Sequence, residues 1–137
     1  MLISHTSLDS RPVTNARMAE MMKPRPIGKE HAKVVADAGG VVGVWTKLAD
    51  SLKEFVESIK AMVDAVGVDH VGIGTDTDLL SAQAGQGANL AYPNLNGGFF
   101  SAAVGEMLRQ GFTPDDSAKV GGGNYCRVFN QATVCHA

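Results

Sequence analysis

Two short strand-like segments, Val41-Val42-Gly43-Val44-Trp45 and residues 68–73, bracket a segment whose apolar residues recur every three to four positions. Within it Leu52, Phe55, Val56, Ile59, Met62, Val63 and Val66 trace one face of a helix, and Gly67 ends it. Ser51-Leu52-Lys53-Glu54 is a capping-box sequence at its start. Strand, helix, strand at this spacing forces the two strands to run parallel, since an antiparallel pair needs only a short turn and a parallel pair needs a crossover. The first run is β-branched and does not alternate, the pattern of a strand covered on both faces.

The same alternation extends outward. Residues 2–5 read as a short buried strand. A polar connection rich in Arg, Met and Pro follows up to Pro26, with two helical turns expected over residues 15–22. Residues 29–38 read as a helix with Val34, Val35 and Ala38 on one face and Gly39-Gly40 at its end. Beyond the third strand, residues 79–98 form a long loop without periodicity, the kind that is functional or disordered in a compact domain. Residues 99–110 are helical, with Phe100, Ala103, Val104, Met107 and Leu108 facing inward and Gly111 as terminator. Thr113 caps the next helix with Pro114 at its first position, Gly121-Gly122-Gly123-Asn124 breaks it, and residues 125–132 form one more.

The order predicts an α/β fold with a parallel sheet, over a single partial domain at residues 1–137. Three strands are too few to close a barrel and leave two open apolar edges, so oligomerisation or complementation by another fragment is expected. Met1 leads straight into a strand, as a fragment of a larger domain would.

Charge and composition narrow the partners. A net charge of −2 gives no electrostatic reason for nucleic acid or an anionic membrane. No run approaches the roughly 18 apolar residues of a membrane span, and no basic region precedes an apolar core, so the chain reads as cytoplasmic. Cys126 and Cys135 have no metal-knuckle spacing and read as thiols of a reduced compartment.

The chemistry-bearing residues sit where strands end. His5 closes the first strand, and Ile73-Gly74-Thr75-Asp76-Thr77-Asp78 delivers two carboxylates from the third. In parallel α/β enzymes working side chains occupy those carboxyl ends. His5 reads as a metal ligand or general base, or as an exposed structural histidine. Asp76 and Asp78, two apart, could take a proton, bind a cation or grip an amine, or could cap a turn. Arg25 is held extended between Pro24 and Pro26, a presentation suited to bidentate capture of a carboxylate. Arg11 and Arg17 have the same claim from less rigid surroundings. His31 and His136 read as surface residues, and His70 lies at the opposite end of its strand. Gly-x-Ser-x-Gly, His-Glu-x-x-His and P-loop motifs are absent.

Taken together, several ordered motifs resemble a known family. Ile3-Ser4-His5-Thr6-Ser7, Pro24-Arg25-Pro26-Ile27-Gly28-Lys29-Glu30-His31, Ala38-Gly39-Gly40-Val41-Val42-Gly43-Val44 and Val71-Gly72-Ile73-Gly74-Thr75-Asp76-Thr77-Asp78 are similar to the C-terminal portion of the membrane (renal-type) dipeptidases, peptidase family M19. Residues 96–98, 108–113 and 122–129 look like that family's closing helices. The resemblance implies about three β/α units of an amidohydrolase-like (β/α)8 TIM barrel and a zinc dipeptidase activity on dipeptide substrates. It implies His5 as a ligand of one of two Zn2+ ions and Arg25, with Arg17 as rival, as anchor of the substrate carboxylate. It further implies Asp76 as the residue that holds the amine and assists proton transfer, with Asp78 in the same loop. The family's remaining metal ligands lie upstream of anything in this chain. The expectation is therefore a chain that holds no catalytic zinc and is inactive alone. Two other readings stand beside it: a non-catalytic binding or assembly module on a half-barrel scaffold, and a different metal-dependent amidohydrolase.

Overall fold

The computed structural model describes residues 1–9, 20, 25–77, 92, 95 and 97–134. Three parallel strands, β1 (Leu2–Thr6), β2 (Val41–Trp45) and β3 (Val71–Gly74), form one sheet in the order β1-β2-β3. Helix α1 (Lys29–Asp37) connects the first two strands and α2 (Leu52–Val66) the second and third. After β3 come α3 (Phe99–Arg109), α4 (Pro114–Ala118) and α5 (Asn124–Thr133). The expected turns over residues 15–22 and nearly all of the 79–98 loop lie outside the described residues, as do Cys135 and His136.

The β2–β3 register sorts the two faces of the sheet. Val42 pairs with Val71 and Val44 with Ile73, while Gly43 pairs with Gly72 and Trp45 with Gly74. Side chains alternate across a strand, so the four aliphatic residues share one face. They bury there against Phe55, Val56, Ile59 and Met62 of α2, with Phe99, Ala103 and Met107 of α3. The other face is nearly bare backbone at Gly43, Gly72 and Gly74, and Trp45 rises at its end. Tyr125 of α5 lies over Gly43 and Gly72.

The Ser51 and Thr113 caps form as the sequence predicts, while Glu54 reaches one residue beyond the N-cap amide that a capping box would use. Ser51 Oγ accepts a hydrogen bond from the Glu54 amide at 3.2 Å, and Glu54 Oε2 accepts one from the Asp50 amide at 2.9 Å. Thr113 Oγ1 accepts from the Asp116 amide at 3.1 Å, with Pro114 at the first helical position. The run from α4 into α5 passes through a wide turn at Lys119–Gly123, where the backbone leaves helical geometry at Gly122.

Three expectations need correction. β1 is not a buried strand: it is the sheet's edge, with Leu2, Ser4 and His5 exposed. Residues 68–70 form a 3-10 turn, and the third strand begins only at Val71. In α3 the buried stripe is Phe99, Ala103 and Met107, while Phe100 and Leu108 are 52% and 45% exposed. Phe99 sets that phase, because it packs on Phe55 at 5.6 Å and stacks on Tyr92 at 6.2 Å between ring centroids.

α5 is fastened across the amino ends of the strands. Asn124 Nδ2 donates to the carbonyls of Val68 and Val71 at 2.7 and 2.8 Å. Arg127 donates to those of Gly39 and Asp69, and Lys119 pairs with Asp69 at 2.7 Å. His70 joins this same end, its Nδ1–H donating to the Gly40 carbonyl oxygen at 2.9 Å. With that end sealed by backbone contacts, the opposite end carries the free side chains.

Candidate functional site

All three strands deliver polar groups at their carboxyl ends, and an irregularity in β1 aims the first of them. Ile3 pairs with Val42 and Thr6 with Val44, so Ser4 and His5 together oppose only Gly43. A bulge of this kind bends the strand and redirects a side chain, and Gly43 has none of its own to obstruct the Ser4 carbonyl. His5 thereby turns over the sheet. Its Nε2 lies 3.7 Å from Asp76 Oδ1, and its ring centroid is 5.7 Å from that of Trp45.

Asp76 reaches this point through an unusual backbone. Among the described residues it is the non-glycine residue with positive φ, at 51°, a left-handed conformation that Asp tolerates better than most residues. Its second oxygen, Oδ2, lies 3.5 Å from Lys47 Nζ. Thr75 and Thr77 are tied to each other on either side of it, the Thr77 hydroxyl donating to Thr75 Oγ1 at 2.8 Å.

Arg25 arrives from a distant segment. Residues 25–27 lie alongside the end of β1: Thr6 Oγ1 donates to the Arg25 carbonyl at 2.7 Å, the Ile27 amide to Ser7 O at 2.7 Å, and the Asp9 amide to Ile27 O at 2.9 Å. Leu8 and Ile27 form a parallel bridge. The guanidinium then sits over the indole of Trp45, its Cζ 5.2 Å from the ring centroid, and Lys47 Nζ is 5.6 Å from the same centroid. Cations over an indole face are attracted by its electron-rich π system.

Trp45 is therefore the floor of the cluster. It is 2% exposed, and its Nε1 makes no hydrogen bond. Sequence reasoning overlooked both Trp45 and Lys47, although the strand-end rule that found His5 and Asp76 covers them equally. Tyr92 supports the turn that carries Lys47: its hydroxyl donates to the Thr46 carbonyl at 3.0 Å. Asp78, Arg17 and Arg11 lie outside the described residues.

The cluster can recognise opposite charges at two ends of a small ligand. Arg25 and Lys47 attract an anion, and Asp76 attracts a cation. The His5 ring adds a choice, because Ser4 Oγ lies 2.9 Å from its Nδ1. If the hydroxyl donates to Nδ1, Nε2 carries the proton and faces Asp76 as a donor. If Nδ1 donates to the hydroxyl, Nε2 presents a lone pair.

A zinc pair is a different matter. Among the described residues no group of three His, Cys, Asp or Glu side chains stands together as a metal site. Catalytic zinc takes three protein ligands per ion, whereas His5 and Asp76 provide two for a pair of ions, with Lys47 already on the carboxylate. These residues do not fit a zinc pair by themselves. Among the described residues, no helix is long and apolar enough to cross a membrane.

A family model described as membrane dipeptidase (peptidase family M19) matches residues 10–137. No curated protein matches the chain. Among solved structures, an amidohydrolase from Pseudomonas aeruginosa is similar with a TM-score of 0.67 and 23% identity, over 95% of this chain and 45% of that one. The metallopeptidase dipeptidase AC of family M19 is similar with a TM-score of 0.63 and 18% identity, over 90% and 34%. The probable dipeptidase PvdM from Pseudomonas aeruginosa gives 0.62 and 18%, over 93% and 43%. At these identities the likeness is one of fold. It spans less than half the length of each structure, so three β/α units stand here where a whole barrel stands there.

Proposed function

Because this chain belongs to the membrane dipeptidase family, peptidase family M19, we propose that it supplies the substrate-terminus side of a zinc-dependent dipeptidase. Arg25 takes the free carboxylate of the dipeptide, for which a guanidinium offers two parallel hydrogen bonds. Asp76 takes the amino end and assists proton transfer, with Asp78 in the same loop. His5 is a single imidazole donor toward zinc, so the chain's own contribution is recognition of the two substrate ends. Hydrolysis requires donors beyond the described residues.

The observation that supports this reading is that His5 and Arg25 meet at one indole while Asp76 faces the same His5, three segments far apart in the chain. A ligand lying over the side chains that cover Trp45 has the cations of Arg25 and Lys47 at one side and the Asp76 carboxylate at the other, the charge pattern of an unblocked dipeptide reversed.

The test is dipeptide hydrolysis with added Zn2+, by this chain alone and by a chimera in which the N-terminal segment of a structurally similar M19 dipeptidase completes the barrel. Activity is expected in the chimera, lost in Arg25→Met and Asp76→Asn, and none in the chain alone. A folded, zinc-loaded chimera without activity contradicts the reading. That outcome favours a non-catalytic binding or assembly module on residues 1–137, which the two-donor count also supports. Among the described residues no strand pairs with the outer edge of β1; that edge fits either a second copy of the chain or further barrel strands, and sizing chromatography separates these.

A further inference from the structure

We propose that Lys47 is a tethered counter-ion for Asp76: it occupies the carboxylate that a ligand's ammonium group would take, and a ligand cation must displace it to bind. The inference rests on the reading of Asp76 as the amine-binding group and adds a residue that sets the selectivity of that site.

The geometry carries the argument. Lys47 Nζ stands 3.5 Å from Asp76 Oδ2 and His5 Nε2 stands 3.7 Å from Oδ1, so both carboxylate oxygens already face nitrogen. A primary ammonium at Oδ2 is what a peptide amino terminus would present there. Lys47 is more than half exposed and sits on a flexible four-carbon stem, so it can leave without disturbing the core. It has somewhere to go, since its Nζ and the Arg25 guanidinium lie by the same Trp45 ring.

A zwitterion therefore exchanges partners without leaving a charge alone. Its ammonium replaces Lys47 on Asp76, and its carboxylate meets Arg25 and the released Lys47. A plain amine displaces Lys47 and leaves it unpaired. The arrangement penalises ligands that carry only a cation and spares those that carry both charges. An exposed ion pair is weak, so the effect is a selectivity filter of modest size and not a lock.

The probe is the indole N–H resonance of Trp45, the chain's single tryptophan, followed by NMR at constant ionic strength. Glycylglycine, methylammonium and acetate are titrated into the wild type, Lys47→Met and Lys47→Arg, and into Lys60→Met, which removes an exposed lysine of α2. Lys47→Met is expected to tighten methylammonium binding by about two- to fivefold, the scale of one exposed ion pair, and to weaken acetate. The preference for glycylglycine over methylammonium falls accordingly, Lys47→Arg restores it, and Lys60→Met changes nothing. Unchanged methylammonium affinity in Lys47→Met, or an equal gain in Lys60→Met, overturns the proposal. If Arg25→Met and Asp76→Asn weaken glycylglycine while Lys47→Met has no effect, only the role of Lys47 falls. If neither weakens it, the dipeptide-end reading falls as well.

Discussion

The ring of Tyr125 lies directly on the backbone of Gly72: a methyl group there would stand 2.6 Å from its Cε2. Tyr125 covers the bare face of the sheet, and the missing side chains at Gly43 and Gly72 are what let α5 approach. At Gly43 an added methyl meets the Ser4 carbonyl as well as the Tyr125 hydroxyl, and backbone cannot swing away as a side chain can.

Gly43→Ala should therefore destabilise the chain more than Gly72→Ala, by an amount within the roughly 1–3 kcal/mol typical of overpacking. In a Tyr125→Ala background the cost of Gly72→Ala should largely vanish and that of Gly43→Ala should persist. Urea denaturation of the single and double variants measures the coupling. Equal relief at both glycines contradicts the geometry.

Alkaline titration gives a second expectation. Burial pushes the Tyr125 phenol up to about 12, and burial together with the nearby Glu54 and Asp50 charges pushes that of Tyr92 further. These are the chain's two tyrosines, so in the folded state no phenol ionises near the ordinary value of 10.0. The unfolded chain releases these protons first, so stability is intact below pH 10 and declines as pH rises toward 12. Phenolate absorbance should rise in one step together with loss of helical circular dichroism. A separate rise near pH 10 with the helices intact contradicts this.

Asn124 is expected to be worth more than an ordinary polar residue. Its amide donates to the carbonyls of Val68, in the 3-10 turn, and Val71, at the start of β3, the second bond being buried. Asn124→Ala removes both bonds while the Val68 carbonyl keeps the Val71 amide as a partner, a loss of roughly 1–3 kcal/mol in chemical denaturation. Asn124→Asp should fare no better, since a carboxylate has no proton to donate. A near-neutral Asn124→Asp contradicts the assignment.

Tyr92 separates two contributions in one side chain. Its hydroxyl holds the Thr46 carbonyl, and its ring packs on Phe55 and Phe99. Tyr92→Phe should cost about 1 kcal/mol, while Tyr92→Ala should cost roughly 3–5 kcal/mol. Thermal unfolding of the two variants ranks them, and equal losses would mean that the ring contributes little.

Local pattern revealed what local physics controls. The stripe of α2, its Ser51 cap and the Thr113-Pro114 start of α4 follow from periodicity and capping, and β2 from its unbroken β-branched run. The exposure of β1 was illegible because an edge strand and a central one share the same apolar composition. The phase of α3 depends on Phe99 meeting Phe55 and Tyr92, a tertiary event that two adjacent phenylalanines do not announce. In the site, His5 and Asp76 were readable from strand ends. The place of Arg25 depends on the pairing of Leu8 with Ile27, a long-range contact without local signature, and the family resemblance supplied its role. Lys47 was available to the same strand-end argument and went unread.

The most direct measurement is the binding of three ligands to wild type, Arg25→Met and Asp76→Asn, followed by Trp45 fluorescence. The ligands are glycylglycine, its C-terminal amide and its N-acetyl derivative. Asparagine keeps the left-handed backbone at position 76, so Asp76→Asn removes charge and not shape. The account predicts that Arg25→Met weakens glycylglycine and the acetylated ligand but spares the amide, and that Asp76→Asn weakens glycylglycine and the amide but spares the acetylated ligand. If both substitutions weaken all three ligands equally, or none of them, Arg25 and Asp76 do not read opposite ends of a dipeptide.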